Sequence, residues 1–160
     1  MLGSDLVMYD EEFKLIDAEI QRLLAQANAK VVFLVDKNGQ LISSAGQTQN
    51  IDTTSLASLT AGNVAAMGGL AKLIGEKEFP NQFHEGERES LHMSIVGGRV
   101  VLVVIFDAKS SLGLVRLRVK KAGEELAKVF DVLARKQAAP GAASPFAEIT
   151  DDDIDNLFSE

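Results

Sequence analysis

VVLVVIF, from Val100 to Phe106, is the most apolar run of the chain, and a shorter counterpart, VVFLVD, runs from Val31 to Asp36. Both are rich in β-branched residues, and neither alternates between apolar and polar positions. Runs of this kind are strands of a sheet that is covered on both faces. The flanks supply the rest of the sheet. Lys37-Asn38-Gly39 is a turn, because Asn-Gly tolerates positive φ, and residues 40–46 return as a strand. Residues 91–96 form a strand that passes through the hairpin turn Gly97-Gly98 into Val100–Phe106. Pro80 interrupts the chain, and residues 82–85 after it read as a short, polar edge strand.

Three helical patterns cover this sheet. Over residues 9–27, Phe13, Ile16, Ile20, Leu23, Leu24 and Ala27 recur at helical spacing. Asp10, Glu11 and Glu12 sit in the first turn, where the helix dipole favours anions. A last helix, capped by Ser110 or Ser111, reaches Gln137 on Leu112, Val115, Val119, Ala122, Leu126, Val129, Phe130 and Leu133. Its VRLRVK stretch also alternates like a strand, but the length of the pattern favours a helix. A middle helix begins at residue 53, with Asp52, Thr53 and Thr54 as caps, and ends near Gly75. The order α-β-β-α-β-β-β-α predicts an α/β (α+β) sandwich. A five-stranded antiparallel sheet carries the middle helix on one face and the terminal helices on the other. Residues 1–137 form the domain. Residues 138–160 are a Pro/Gly/Ala linker and an acidic tail that keeps apolar residues.

Composition removes several function classes. The 160 residues carry a net charge of −7, which opposes nucleic-acid binding, and 46% are apolar, as in a globular protein. There is no cysteine. The start, MLGSDLVMYDEEF, turns acidic where a signal peptide would become apolar, so a cytoplasmic location is expected. The middle helix is uncharged over residues 53–71. It holds five Ser and Thr residues and few large apolar ones, so no membrane insertion is expected. Neither a P-loop nor a G-x-G-x-x-G turn is present. His84 and His92 match no standard metal spacing and read as partly exposed strand residues. Asp151, Asp152, Asp153 and Asp155 lack the interleaving of a calcium loop. No catalytic residue, metal or cofactor is expected.

Binding features remain. Gly62, Gly68 and Gly69 each cost the middle helix about 1 kcal/mol against Ala. On a helical wheel Leu56, Leu59, Met67, Leu70 and Ile74 share one stripe with Asn63, and this stripe is expected to face the core. Ser58, Ala61, Gly62, Ala65, Gly68 and Gly69 form the opposite, small and uncharged side. It suits close approach by another protein or, alternatively, by an element of the same chain. The edge strand could pair with its two-fold mate, or be protected by its own charges. Arg116, Arg118, Lys120 and Lys121, with Lys14, form either a solvated face or a second docking patch for an acidic partner. In the tail Ile154, Leu157 and Phe158 lie at i, i+3 and i+4. They would line one face of a helix that is too short to stand alone but can fold into a groove on a partner.

The chain resembles the roadblock/dynein light chain family. The resemblance rests on VVFLVDKNGQLISSAGQTQNIDTTSLASLTAGNVAAMGGLAKLIGE, on FHEGERESLHMSIVGGRVVLVVIFD, on SLGLVRLRVKKA and on the tail SPFAEITDDDIDNLFSE. It implies a homodimer across the middle helix and edge strand. It also implies one Ras-like small GTPase bound by two copies, with activation of GTP hydrolysis in bacterial cell polarity and gliding motility. Other polarity proteins and concentration at a cell pole are implied with it. Ala65 and Gly69 match the family's GTPase-contacting surface, and Ala61, Gly62 and Gly68 lie beside them. The tail resembles an extension that modulates the GTPase away from its nucleotide pocket. Arg88 and Arg99 are the loop candidates for an inserted arginine, and the resemblance argues against their use. Two alternatives stand: a scaffold that recruits a GTPase without stimulating it, and a small-molecule sensor with Asn63 as its main internal polar group.

Overall fold

The structure is a computed structural model that describes residues 9–138. Its elements are α1 (Asp10–Gln26), β1 (Val31–Asp36), β2 (Leu41–Gly46), α2 (Thr53–Leu73), β3 (Asn81–Glu85), β4 (Ser90–Val96), β5 (Val100–Phe106) and α3 (Leu112–Ala138). The expected order is therefore present. The five strands form one antiparallel sheet in the order β2-β1-β5-β4-β3. The two apolar strands lie side by side at its centre, with Phe33 opposite Val103 and Leu34 opposite Leu102.

Alternation along β1 and β5 divides the core in two. Val32, Leu34, Leu102 and Val104 point to α1 and α3, where they meet Ile16, Ile20, Leu23, Val115, Leu126 and Phe130. Val31, Phe33, Val35, Val101 and Val103 point to the α2 side. Cover on both faces is what removes the polar alternation from these strands. VRLRVK is helical, and its alternation is incidental. Val115 and Val119 are a turn apart and buried, while Leu117 between them is exposed.

Several expectations need correcting. Leu59, Leu70 and Ile74 are 73%, 46% and 63% exposed rather than inward, and Leu73 is 84% exposed. The buried residues of α2 are Ala57, Thr60 and Ala71, with Leu56 and Val64 packed partly against the sheet. The helix is thus turned about its axis by roughly 80° from the expected setting, at about 100° per residue. The sheet surface beneath it is already filled by Phe33 and branched valines, so the helix lies on it through small residues. Along α1, Phe13 is 41% exposed, and Glu12 is buried in its place, joined to Lys136 near the end of α3. His92 is also fully buried rather than partly exposed.

Candidate partner-binding surface

α2 starts where Asp52 caps it. The carboxylate accepts from the Ser55 N–H at 3.1 Å and from Ser55 Oγ at 2.7 Å. The Ser55 side chain, then its backbone N–H, holds the Asp52 carboxyl below its usual pKa. From this fixed start the small residues fall on the outer side. Ser58, Gly62, Ala65 and Gly69 are exposed, and Ala61 and Gly68 are half-buried. A Cβ added at Gly62, Gly68 or Gly69 would meet nothing within 4 Å. At these three glycines the chain's own fold leaves this side of the helix bare.

One contact explains the half-burial of Ala61. The β1–β2 turn approaches α2 at Gly39, where a Cβ would stand 3.3 Å from the Ser58 Cα and 3.6 Å from the Ala61 Cβ. Gly39 also has φ +88°, so both the approach and the turn require glycine. Asp36 Oδ1 fixes the same turn by accepting from the N–H groups of Asn38 and Gln40.

Leu59, Leu70 and Ile74, which the sequence assigned to the core, lie next to the small side instead, together with Leu73. They extend the bare surface around the helix. Beyond them α2 leaves β3 and β4 uncovered, and an open groove of about 510 Å³ runs between the helix and these strands. Leu56, Leu59, Asn63, Leu91 and Met93 line it. The Asn63 Oδ1 is buried there without a hydrogen-bond partner among the described residues. β3 closes one end of the sheet as an edge, as the sequence suggested. Helix and groove form a largely apolar surface bordered by the polar edge strand β3, and exposed apolar patches of this kind mark protein-binding sites. The leucines' part in it was missed by the sequence reading. A wheel shows that two sides of a helix are uncharged, but not which of them the sheet takes.

The other candidates separate. Arg116 and Lys120 are exposed on one flank of α3, whereas Arg118 is half-buried with its Nε unpaired among the described residues. Lys14 lies at the opposite end of the antiparallel α1–α3 pair, because neighbouring Glu12 meets Lys136 there and Ser110 bonds the Ala27 carbonyl at the other end. The structure therefore brings Arg116 and Lys120 together, without Lys14. Arg88 is exposed in the β3–β4 turn, and Arg99 donates to the Phe130 carbonyl at 3.4 Å. The tail residues Ile154, Leu157 and Phe158, and the rest of 139–160, lie outside the described residues. Among the described residues no group of three or more His, Asp or Glu could hold a metal ion, and no helix is long and apolar enough to cross a membrane.

Known proteins share this architecture. The Roadblock/LC7 domain pattern matches residues 15–106. The solved structure of Myxococcus xanthus MglB is 79% identical, with a TM-score of 0.76 over 80% of this chain and 96% of that one. A structure described as MglB with tetrameric arrangement is 30% identical, with a TM-score of 0.77 over 82% of this chain and 99% of the other. The gliding protein MglB from Thermus thermophilus is 31% identical, with a TM-score of 0.76 over 82% of this chain and 99% of its own.

Proposed function

The chain belongs to the Roadblock/LC7 family, and on that footing we propose that it is a GTPase-activating protein for a Ras-like small GTPase of the MglA type. It works as a homodimer, two copies per GTPase, in bacterial polarity and gliding motility. The observation that carries this reading is the bare side of α2, where Gly62, Gly68 and Gly69 have open space above them beside uncovered leucines. The likeness to MglB proteins, one of them named for gliding, supports it.

The surface suits two neighbours. The apolar groove and the edge of β3 fit a second copy, which would bury Leu59 and its neighbours at about 1.5–3 kcal/mol for each large side chain. Ser58, Ala61, Gly62, Ala65, Gly68 and Gly69 then lie flush against the GTPase. A smooth, uncharged surface supplies no acid, base or nucleophile. Its effect on hydrolysis is to bind the ordered, GTP-bound switch regions better than the mobile ones and so raise their population. The GTPase's own groups orient water and stabilise charge. The tail, through Ile154, Leu157 and Phe158, adds a contact away from the nucleotide pocket.

A single-turnover experiment tests this. The chain is mixed with a GTP-loaded MglA-type GTPase, and phosphate release is followed together with the mass of the complex by light scattering. Faster release from a complex of two chains and one GTPase is the expected result. A complex whose hydrolysis rate equals that of the free GTPase would leave a recruiting scaffold and end the activation reading.

A further inference from the structure

A second groove lies on the opposite face of the sheet. It occupies about 590 Å³ between α3 and β4, with Arg116 and Lys120 on its helical wall. His92, Ser94 and Val96 line its other side, as alternate residues of β4 on the α3 face. Three of its features are left unused by the fold. His92 is 2% exposed, yet its Nδ1 has no hydrogen-bond partner among the described residues. Gly123 stands mid-helix on the wall, where a Cβ would meet Val96 at 3.7 Å, an ordinary contact. Packing does not require glycine there, and its lack of a side chain deepens the groove. The two cations are exposed, and Glu124 is the one carboxylate on the lining.

We propose that the chain's own acidic segment, residues 148–158, docks into this groove. After Lys136 the sequence holds six carboxylates and neither Lys nor Arg. Asp151, Asp152, Asp153 and Asp155 complement Arg116 and Lys120, and Ile154 and Leu157 match the apolar part formed by Val96, Val119 and Ala127. With its proton on Nδ1, a neutral His92 donates to a carboxylate or carbonyl of the segment. Burial, and then Arg116, hold the imidazole in that neutral form. The reach suffices. From Lys120 to the end of α3 is about 27 Å at ~1.5 Å per residue, and residues 139–147 span up to about 30 Å when extended. The tether makes docking an intramolecular event, so the segment meets the groove without a second molecule. While docked, the segment is withheld from any other protein, so a partner of the tail must compete with the groove.

The absence of cysteine allows one clean probe. A Ser159→Cys chain carrying a nitroxide is isotope-labelled, and amide relaxation is recorded on the full chain. Amides of residues 92–97 and 116–127 should broaden at least fivefold more than those of β1. Arg116→Glu with Lys120→Glu should abolish the difference, and so should Gly123→Leu, which fills the groove without touching a charge. Unshifted β1 amides verify the fold of each variant. In a mixture of nitroxide-bearing chain and label-free, isotope-labelled chain, the groove amides of the latter should stay sharp. Even broadening throughout the molecule, broadening that survives the charge reversal, or groove broadening in the label-free chain would overturn the proposal.

Discussion

Adding two methyl groups to α2 should make the free chain more stable and its complex weaker. Gly62 and Gly69 are helical, exposed and without any atom within 4 Å of an added Cβ. Replacing a helix-interior Gly by Ala gains about 0.5–1 kcal/mol where nothing clashes. The double variant Gly62→Ala/Gly69→Ala should therefore gain about 1–2 kcal/mol. For a domain of this size that raises Tm by about 3–8 °C. The same methyls would overpack a partner lying flush on the helix, at about 1–3 kcal/mol in all, so GTPase affinity should fall roughly tenfold to a hundredfold. Differential scanning calorimetry reads the first effect and a titration with GTP-loaded GTPase the second, while light scattering checks the dimer. A lowered Tm would mean that the glycines are covered in the free protein, by the twin chain or otherwise. A raised Tm with unchanged affinity would mean that no partner touches this side. Either result defeats the assignment, and Gly69→Arg, expected to abolish binding in an intact dimer, gives the stronger version of the same test.

Other outcomes follow from the structure. Arg88→Ala and Arg99→Ala should each leave GTPase stimulation within about tenfold, since an inserted arginine is worth about 10³–10⁵; a thousandfold loss with intact binding in single-turnover assays would refute positioning by the α2 surface. Phe33→Ala should cost about 3–5 kcal/mol in urea unfolding, because Phe33 is fully buried at the centre of the α2-side core. His92 has its pKa lowered by burial and by Arg116. Below pH ~6.5 the unfolded chain therefore takes up a proton that the folded site resists. Stability should fall as pH drops below that value and level off under the folded-state pKa. His92→Gln should flatten this part of the Tm–pH curve, and an unchanged slope would rule His92 out as its source. Lys136 behaves in the opposite sense. Glu12 raises its pKa, so its contribution is complete below about pH 10.5 and is lost only as pH rises through the higher folded value.

The fold was legible because its strongest signals are local. Val31–Asp36 and Val100–Phe106 are recognisable from branching and the absence of alternation, and both ranges match the structure residue for residue. The start of α2, narrowed to three capping residues of which Asp52 is the one used, and the length of α3 were also readable, since capping and 3.6-residue periodicity act within one element. The exposed surface of α2 was only half legible. The bare side of α2 was found from its glycines, which cost a helix stability without an internal reason. The outward leucines were not, because Leu59 and Leu70 have the size and chemistry of core residues. His92 reversed expectation in the same way, as an imidazole taken inside by neighbours distant in sequence, and the burial of Glu12 had no signal in the sequence at all.

The sequence by itself determined the elements, their order, the two-sided sheet and an unexplained run of glycines, all of which follow from interactions between residues near one another in the chain. Only the tertiary structure decided how α2 is turned on that sheet. Phe33 and the valines of β1 and β5 fill the space beneath the helix and admit Ala57, Thr60 and Ala71 in preference to leucine. That choice belongs to strands about twenty and forty residues away from the helix, and packing volume across such distances cannot be read from any wheel.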